Sequence, residues 1–214
     1  MEWQGFESKK TIAARCNGRK IREDEISRLL TLSGAPREEQ EGDHTRRSAA
    51  VLLPLLSQNG EWHLLYTRRT EQVPHHKGQV SFPGGAYEPE DDNLVQTALR
   101  ETCEEIGLRP EDVRILGELS GMPSVSNYMI TPIVGRITKA FDVKLSEYEV
   151  SRVFTIPLSW LADASHRAIR PYHAADGQVF DVIYYQSYDG EILWGATARM
   201  TVLLLQILGL DITL

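Results

Sequence analysis

The chemistry in this sequence sits in the run Leu99-Arg100-Glu101-Thr102-Cys103-Glu104-Glu105-Ile106-Gly107. On a helix, Glu101 lies three residues from Glu104 and four from Glu105, so all three carboxylates can converge on one point. A hard cation such as magnesium takes carboxylate oxygens and keeps waters for substrate phosphates. Arg100 can pair with Glu104 one turn on, or hold another carboxylate in place. The bland alternative is a solvated acidic face. Against it, the three glutamates crowd the C-terminal turn, where the helix dipole is negative and each costs roughly 0.3–1 kcal/mol. A cation bound there removes that cost.

A helix from about Asn93 to Ile106 must carry these groups. Leu94, Val95, Ala98, Leu99, Thr102, Cys103 and Ile106 form one stripe at spacings of three and four. Thr97, Arg100, Glu101, Glu104 and Glu105 fall on the other side. Gly107 stands where a left-handed cap belongs. Upstream, Ser48 to Leu56 is a continuous apolar run suited to a buried strand. Asn59-Gly60 is a turn signal, and Trp62 to Arg68 is the paired strand. Further strands are expected at Gly78 to Phe82, Val113 to Leu119, Ile130 to Ile137, Val150 to Ile156 and Val179 to Gln186. A short helix is expected from Pro157 and a last one over Ala196 to Leu208. Without strict βαβ alternation, this order predicts an α+β fold. Residues 1–45 read as an N-terminal helical arm, with a helix over Arg22 to Leu32 and then a loop; residues 46–214 read as the main domain.

Composition narrows the functions. A net charge of −7 argues against general nucleic-acid binding. An anionic small molecule then needs local positive charge, and Arg68, Arg69, His75, His76 and Lys77 supply it before Gly84 and Gly85. The longest apolar run, Val202 to Leu210, is interrupted by Gln206 and Gly209 and is too short to span a bilayer. Cys16 and Cys103, far apart, make neither a disulfide framework nor a zinc site. A reducing cytoplasm is the expected compartment.

The glutamate run resembles the Nudix box: Gly, five residues, Glu, seven residues, then Arg-Glu-apolar-any-Glu-Glu-any-Gly-apolar. Arg100, Glu101, Glu104, Glu105, Gly107 and Leu108 match, and Thr102 fills the apolar position. Counting back from Arg100 puts the early acid at Asp92; counting forward from Gly85 puts it at Asp91. The resemblance implies a mixed β-sheet sandwiched between α-helices. It implies metal ligation by Glu101 and Glu105, with Glu104 as a further ligand or the group that orients the attacking water. Glu104, Glu105 and Arg100 become the catalytic set, with Mg2+ or Mn2+ as cofactor. The general base of such enzymes often lies outside the box, and Glu118 and Glu149 are both candidates.

A second resemblance covers Thr67, Arg69, Gly78 and Phe82-Pro83-Gly84-Gly85. It is to the coenzyme A pyrophosphatase branch of the Nudix family, with Thr70 in place of serine and Pro74 where arginine is frequent. It implies cleavage of coenzyme A or its derivatives into 3′,5′-ADP and 4′-phosphopantetheine species. Arg68, Arg69, His76, Lys77, Gly84 and Gly85 are then substrate-binding, and a homodimer is expected. Other expectations stay open: another nucleoside diphosphate derivative (a nucleotide sugar, dinucleoside polyphosphate or NADH), or a nucleotide-binding regulator without catalysis.

Overall fold

The structure, a computed structural model, describes residues 13–16, 19–33, 46–173 and 177–210. In chain order the strands are β1 (Ala13–Cys16), β2 (Arg19–Arg22), β3 (Arg47–Gln58), β4 (Glu61–Arg69), β5 (Val80–Ser81) and β6 (Gly84–Ala86). Then come β7 (Val113–Glu118), β8 (Met122–Pro123), β9 (Tyr128–Ile137), β10 (Val150–Pro157), β11 (Arg167–His173) and β12 (Val179–Tyr185). The helices are α1 (Glu23–Ser33), α2 (Leu94–Ile106), α3 (Leu158–Ala162) and α4 (Gly195–Ile207).

β3 is the centre of a mixed sheet. It pairs antiparallel with β4 and β6, and parallel with β9 from Arg47↔Tyr128 to Leu55↔Arg136. Its two faces serve two cores. Leu53 and Leu55 pack with Ile26 and Leu30 of α1 and with Leu204 and Leu205 of α4. Ala50, Leu52 and Leu56 pack with Ala98 and Ile106 of α2. A strand buried on both faces needs apolar residues at every position, which explains the unbroken run. The expected sheet between helices is therefore present. Asn59 and Gly60, both at positive φ (53° and 76°), close the β3–β4 hairpin with the two-residue turn that matches strand twist.

The arm differs from its expectation. Its helix is α1, but a hairpin precedes it: β1 pairs antiparallel with β2 and parallel with β4 at Arg15↔Glu61. The fully buried Trp62 donates its indole N–H to the Ile21 carbonyl at 3.0 Å, fastening the hairpin to the sheet. The loop expected after α1, over 34–45, lies outside the described residues. The strand expected over Gly78 to Phe82 shortens to Val80–Ser81. Pro83 ends it, and its carbonyl accepts from Leu52 N at 2.8 Å as the chain turns into β6. β11 and β12 form a separate two-stranded sheet. Among the described residues, no helix is long and apolar enough to cross a membrane.

Glu23, at the start of α1, is buried against Arg136 of β9, itself 2% exposed, and also meets Arg114 of β7 at 3.3 Å. Arg136→Leu leaves this buried carboxylate, among the described residues, with the exposed Arg114 as its ion-pair partner. Breaking a buried pair costs about 3–5 kcal/mol, and urea denaturation will show an unfolding free energy lower by that amount, with the midpoint moved down at unchanged m.

Candidate active site

α2 is closed at both ends by its own sequence. The Asn93 side chain accepts from Gln96 N at 3.0 Å, and Gly107, at φ 75°, donates its N–H to Cys103 O at 2.9 Å. The faces of the helix differ from the sequence expectation in two places. Thr97 and Glu105, placed on the polar side above, are buried at 0% and 4% exposure. Thr97 is buried because its hydroxyl donates to Asp91 Oδ2 at 2.9 Å; Glu105 is buried because it points under the glycine strand β6.

Arg100 is the most connected side chain here. Its Nε and Nη2 grip the two oxygens of Asp91, each at 3.0 Å, and Nη2 also donates to the Ala86 carbonyl at 3.1 Å. Nη1 reaches Glu101 at 2.9 Å and Glu104 at 3.4 Å. This two-pronged pairing joins the loop after β6 to the helix. It also separates the two early acids in space. Asp91 is buried, accepts from Glu88 N at 3.1 Å, and is held well below the usual carboxylate range, chiefly by its bond from Arg100. Asp92 is exposed.

The box glutamates do not all converge. Glu104 is exposed and turned toward Arg100. Glu101 lies against Gly85 so closely that a Cβ there would stand 2.4 Å from its carboxyl carbon. Gly84, at φ 149°, is equally constrained, since a Cβ would meet the Ala50 carbonyl at 2.3 Å. Burial raises Glu101 above its ordinary pKa. Burial also pushes Glu105 up to about 8; Arg69 and the Gly84 backbone N–H oppose the rise, while Glu149 and Glu101 add to it. Glu149, just before β10, thus acts on both Glu101 and Glu105. Glu118, the other outside candidate, ends β7 opposite Ile133.

The basic cluster divides. Arg69 points toward Glu105, and its Nε is buried without a hydrogen-bond partner. Arg68, its neighbour on the other face of β4, turns to Glu191 at 3.5 Å, which Arg152 also contacts at 3.1 Å. Sequence reasoning missed that pair, because Arg152 meets Arg68 only across strands. His75, His76 and Lys77 are exposed on the loop after β4, with His76 at φ 56° bonded to Gln79 at 3.1 Å. A separate cavity of about 450 Å³, lined by Arg170, Tyr184, Ile192 and Trp194 among others, lies at the β11–β12 sheet, away from the carboxylates.

Among the described residues, no group of three or more His, Cys, Asp or Glu side chains is gathered tightly enough to enclose a metal ion. The donor chemistry nevertheless fits a hard cation. Glu105 Oε2 is buried with no hydrogen-bond partner, and Glu101 lies beside it electrostatically. A buried, unsatisfied carboxylate oxygen is costly unless something positive meets it.

Such a site, on a loop and helix held against a mixed sheet, suits a hydrolase of phosphorus-containing anhydrides. The chain belongs to the Nudix family: the NUDIX domain pattern matches residues 45–170. Relatives described as uncharacterized Nudix hydrolase NudL are similar to it. That of Photorhabdus laumondii is 37% identical over 158 residues, covering 72% of this chain and 81% of the relative. That of Pectobacterium atrosepticum is 38% identical over 160 residues, covering 73% and 80%. A solved Nudix hydrolase from M. smegmatis, RenU, aligns at 20% identity over 55% of this chain and 74% of its own, with a TM-score of 0.47.

Glu105 gives a signed pH dependence. Its folded-state pKa is raised from 4.5 to about 8, so folding binds a proton. This contribution to stability is complete below the unfolded value and is lost as pH rises through about 8. In EDTA, the melting temperature of the wild type relative to Glu105→Gln will therefore fall between about pH 5 and pH 8, as read by calorimetry. Gly85→Ala, which drives a methyl into Glu101, will reduce the thermal stabilisation given by added Mn2+.

Proposed function

We propose that this enzyme hydrolyses the diphosphate linkage of coenzyme A or its derivatives, giving 3′,5′-ADP and 4′-phosphopantetheine species. One observation carries the reading: a strand end rich in arginine adjoins the carboxylate helix, with Arg69 in the field of Glu105 and the side chains of His76 and Lys77 exposed on the next loop. Coenzyme A carries a 3′-phosphate besides its diphosphate, and such charge favours a basic approach on an acidic protein. The flanking signature through Thr67, Arg69, Gly78 and Phe82–Gly85 supports the same substrate.

Nudix hydrolases use divalent metal cations; Mg2+ or Mn2+ is proposed here, held by Glu101 and Glu105, with Glu104 as a further ligand or the group that orients the attacking water. When bound, the cation neutralises charge on the diphosphate oxygens. The chain's own groups do the rest. Arg69 binds a phosphate oxygen through its guanidinium. Gly84 and Gly85 let the backbone come close to the diphosphate. Glu149 accepts the proton of the attacking water at its carboxylate. Arg100 holds Glu101 and Glu104 in register with the loop. Two free cysteines, with the Cys16 thiol pushed up to about 12 by burial, suit a reducing cytoplasm. A homodimer is proposed.

Purified protein is given coenzyme A, ADP-ribose, NADH and diadenosine polyphosphates, with Mg2+ and with Mn2+, and products are separated by chromatography. Conversion of coenzyme A to 3′,5′-ADP is the expected result. Turnover of only another substrate discards the coenzyme A reading, and silence on all of them points to a non-catalytic nucleotide binder. Glu105→Gln will abolish turnover while circular dichroism remains that of the wild type; unchanged turnover removes Glu105 from the cation site.

A further inference from the structure

We infer that Thr70 and Ser146 are positioning residues for the Glu149 carboxylate, holding it against the buried Glu105. The inference rests on the role given to Glu149 above. Glu149 sits on the turn before β10, whose own bonds, from Glu149 N and Val150 N to the Ser146 carbonyl at 2.9 and 2.8 Å, fix the backbone but leave the aim of the side chain to be set. Three contacts set it. Ser146 Oγ donates to Glu149 Oε2 at 3.2 Å, while the Ser146 N–H donates to the Glu105 carbonyl at 2.9 Å. One residue thus ties the carboxylate to the end of the glutamate helix. From the other side, Thr70 N donates to the Glu149 carbonyl at 2.9 Å, and the buried Thr70 hydroxyl donates to the Tyr148 carbonyl. That hydroxyl also accepts from Gln72 N at 3.3 Å, and Thr70 O accepts from Gly78 N at 3.3 Å. The loop bearing His76 and Lys77 is therefore anchored at the same residue.

The third contact is in the strand. β10 pairs Val150 with Arg69 but Arg152 with Arg68, so Ser151 is an extra residue. Its hydroxyl donates to the Arg68 carbonyl at 3.1 Å. A bulge of this kind re-aims side chains and is common beside active sites. Here it falls two residues from Glu149. Thr70, read from sequence as a substitute for a signature serine, needs only a hydroxyl for this task. Serine and threonine are therefore equivalent there, and valine is not.

The full chain is titrated with Mn2+, bound ion being followed by electron paramagnetic resonance, and its turnover of coenzyme A is resolved into kcat and KM. Loss of a group that orients a ligand or base costs roughly 10- to 100-fold in metal affinity or activity. Thr70→Val and Ser146→Ala are each expected to lose that much in Mn2+ affinity or kcat, with KM unchanged. Thr70→Ser restores the loss, and neither change adds to that of Glu149→Gln. Wild-type affinity and kcat in both variants overturn the inference, as do losses that multiply with Glu149→Gln. Should Thr70→Val unfold, the coupling of Ser146→Ala to Glu149→Gln decides alone. The Mn2+ arm needs no substrate, so a protein that binds Mn2+ without cleaving coenzyme A refutes the substrate while leaving the positioning testable.

Discussion

The Arg100–Asp91 pair is the joint on which this site depends. Asp91 lies in an irregular loop, Arg100 in the middle of α2, and the guanidinium fork spans them with two parallel bonds. The same guanidinium reaches the β6 carbonyl of Ala86 and the carboxylates of Glu101 and Glu104. Loop, strand and helix thus share one rigid cation. The pairing lies partly out of water, where a charge-assisted fork is stronger and more directional than a surface ion pair.

That joint lets the protein tolerate an arrangement it would otherwise avoid. Glu105 is buried beside Glu101 and within the field of Glu149, and burial raises the energy of its charged form. Arg69 offsets part of this cost but forms no hydrogen bond through its buried Nε. The strand and the helix hold Arg69 and Glu105 near each other with donors and acceptors still unmatched. A folded chain carries such a deficit where another species is meant to complete it, and stability is traded for that capacity.

Much of this was legible in the sequence. The helix, its glycine cap and the central strand follow from local patterns, because period and capping chemistry act over a few residues. The burial of Glu105 and Thr97 was not legible, since a helical wheel assigns polar residues to water and sees neither β6 closing over Glu105 nor Asp91 meeting Thr97. The burial of Asp91 beside an exposed Asp92 required a partner nine residues away. The hairpin of β1 and β2 was hidden because its decisive contact, Trp62 with the Ile21 carbonyl, crosses from one segment of the chain to another. Arg68 was legible as a cation but not by direction: adjacent residues of a strand face opposite ways, so Arg69 meets the glutamates and Arg68 meets Glu191.

The parallel pairing of β3 with β9 bears on the order in which the molecule assembles. Arg47 pairs with Tyr128 and Leu55 with Arg136, so the central ladder closes only after a long intervening segment has been gathered in. That segment contains the glycine strand, Asp91 and the whole of α2. Loop-closure entropy must be met before these pairings repay it, which makes such sheets slow to form. α2 can flicker as an isolated helix, but the strand beneath its carboxylates has no partner until β3 is in place. The carboxylate site is therefore complete only once β6 has paired with β3.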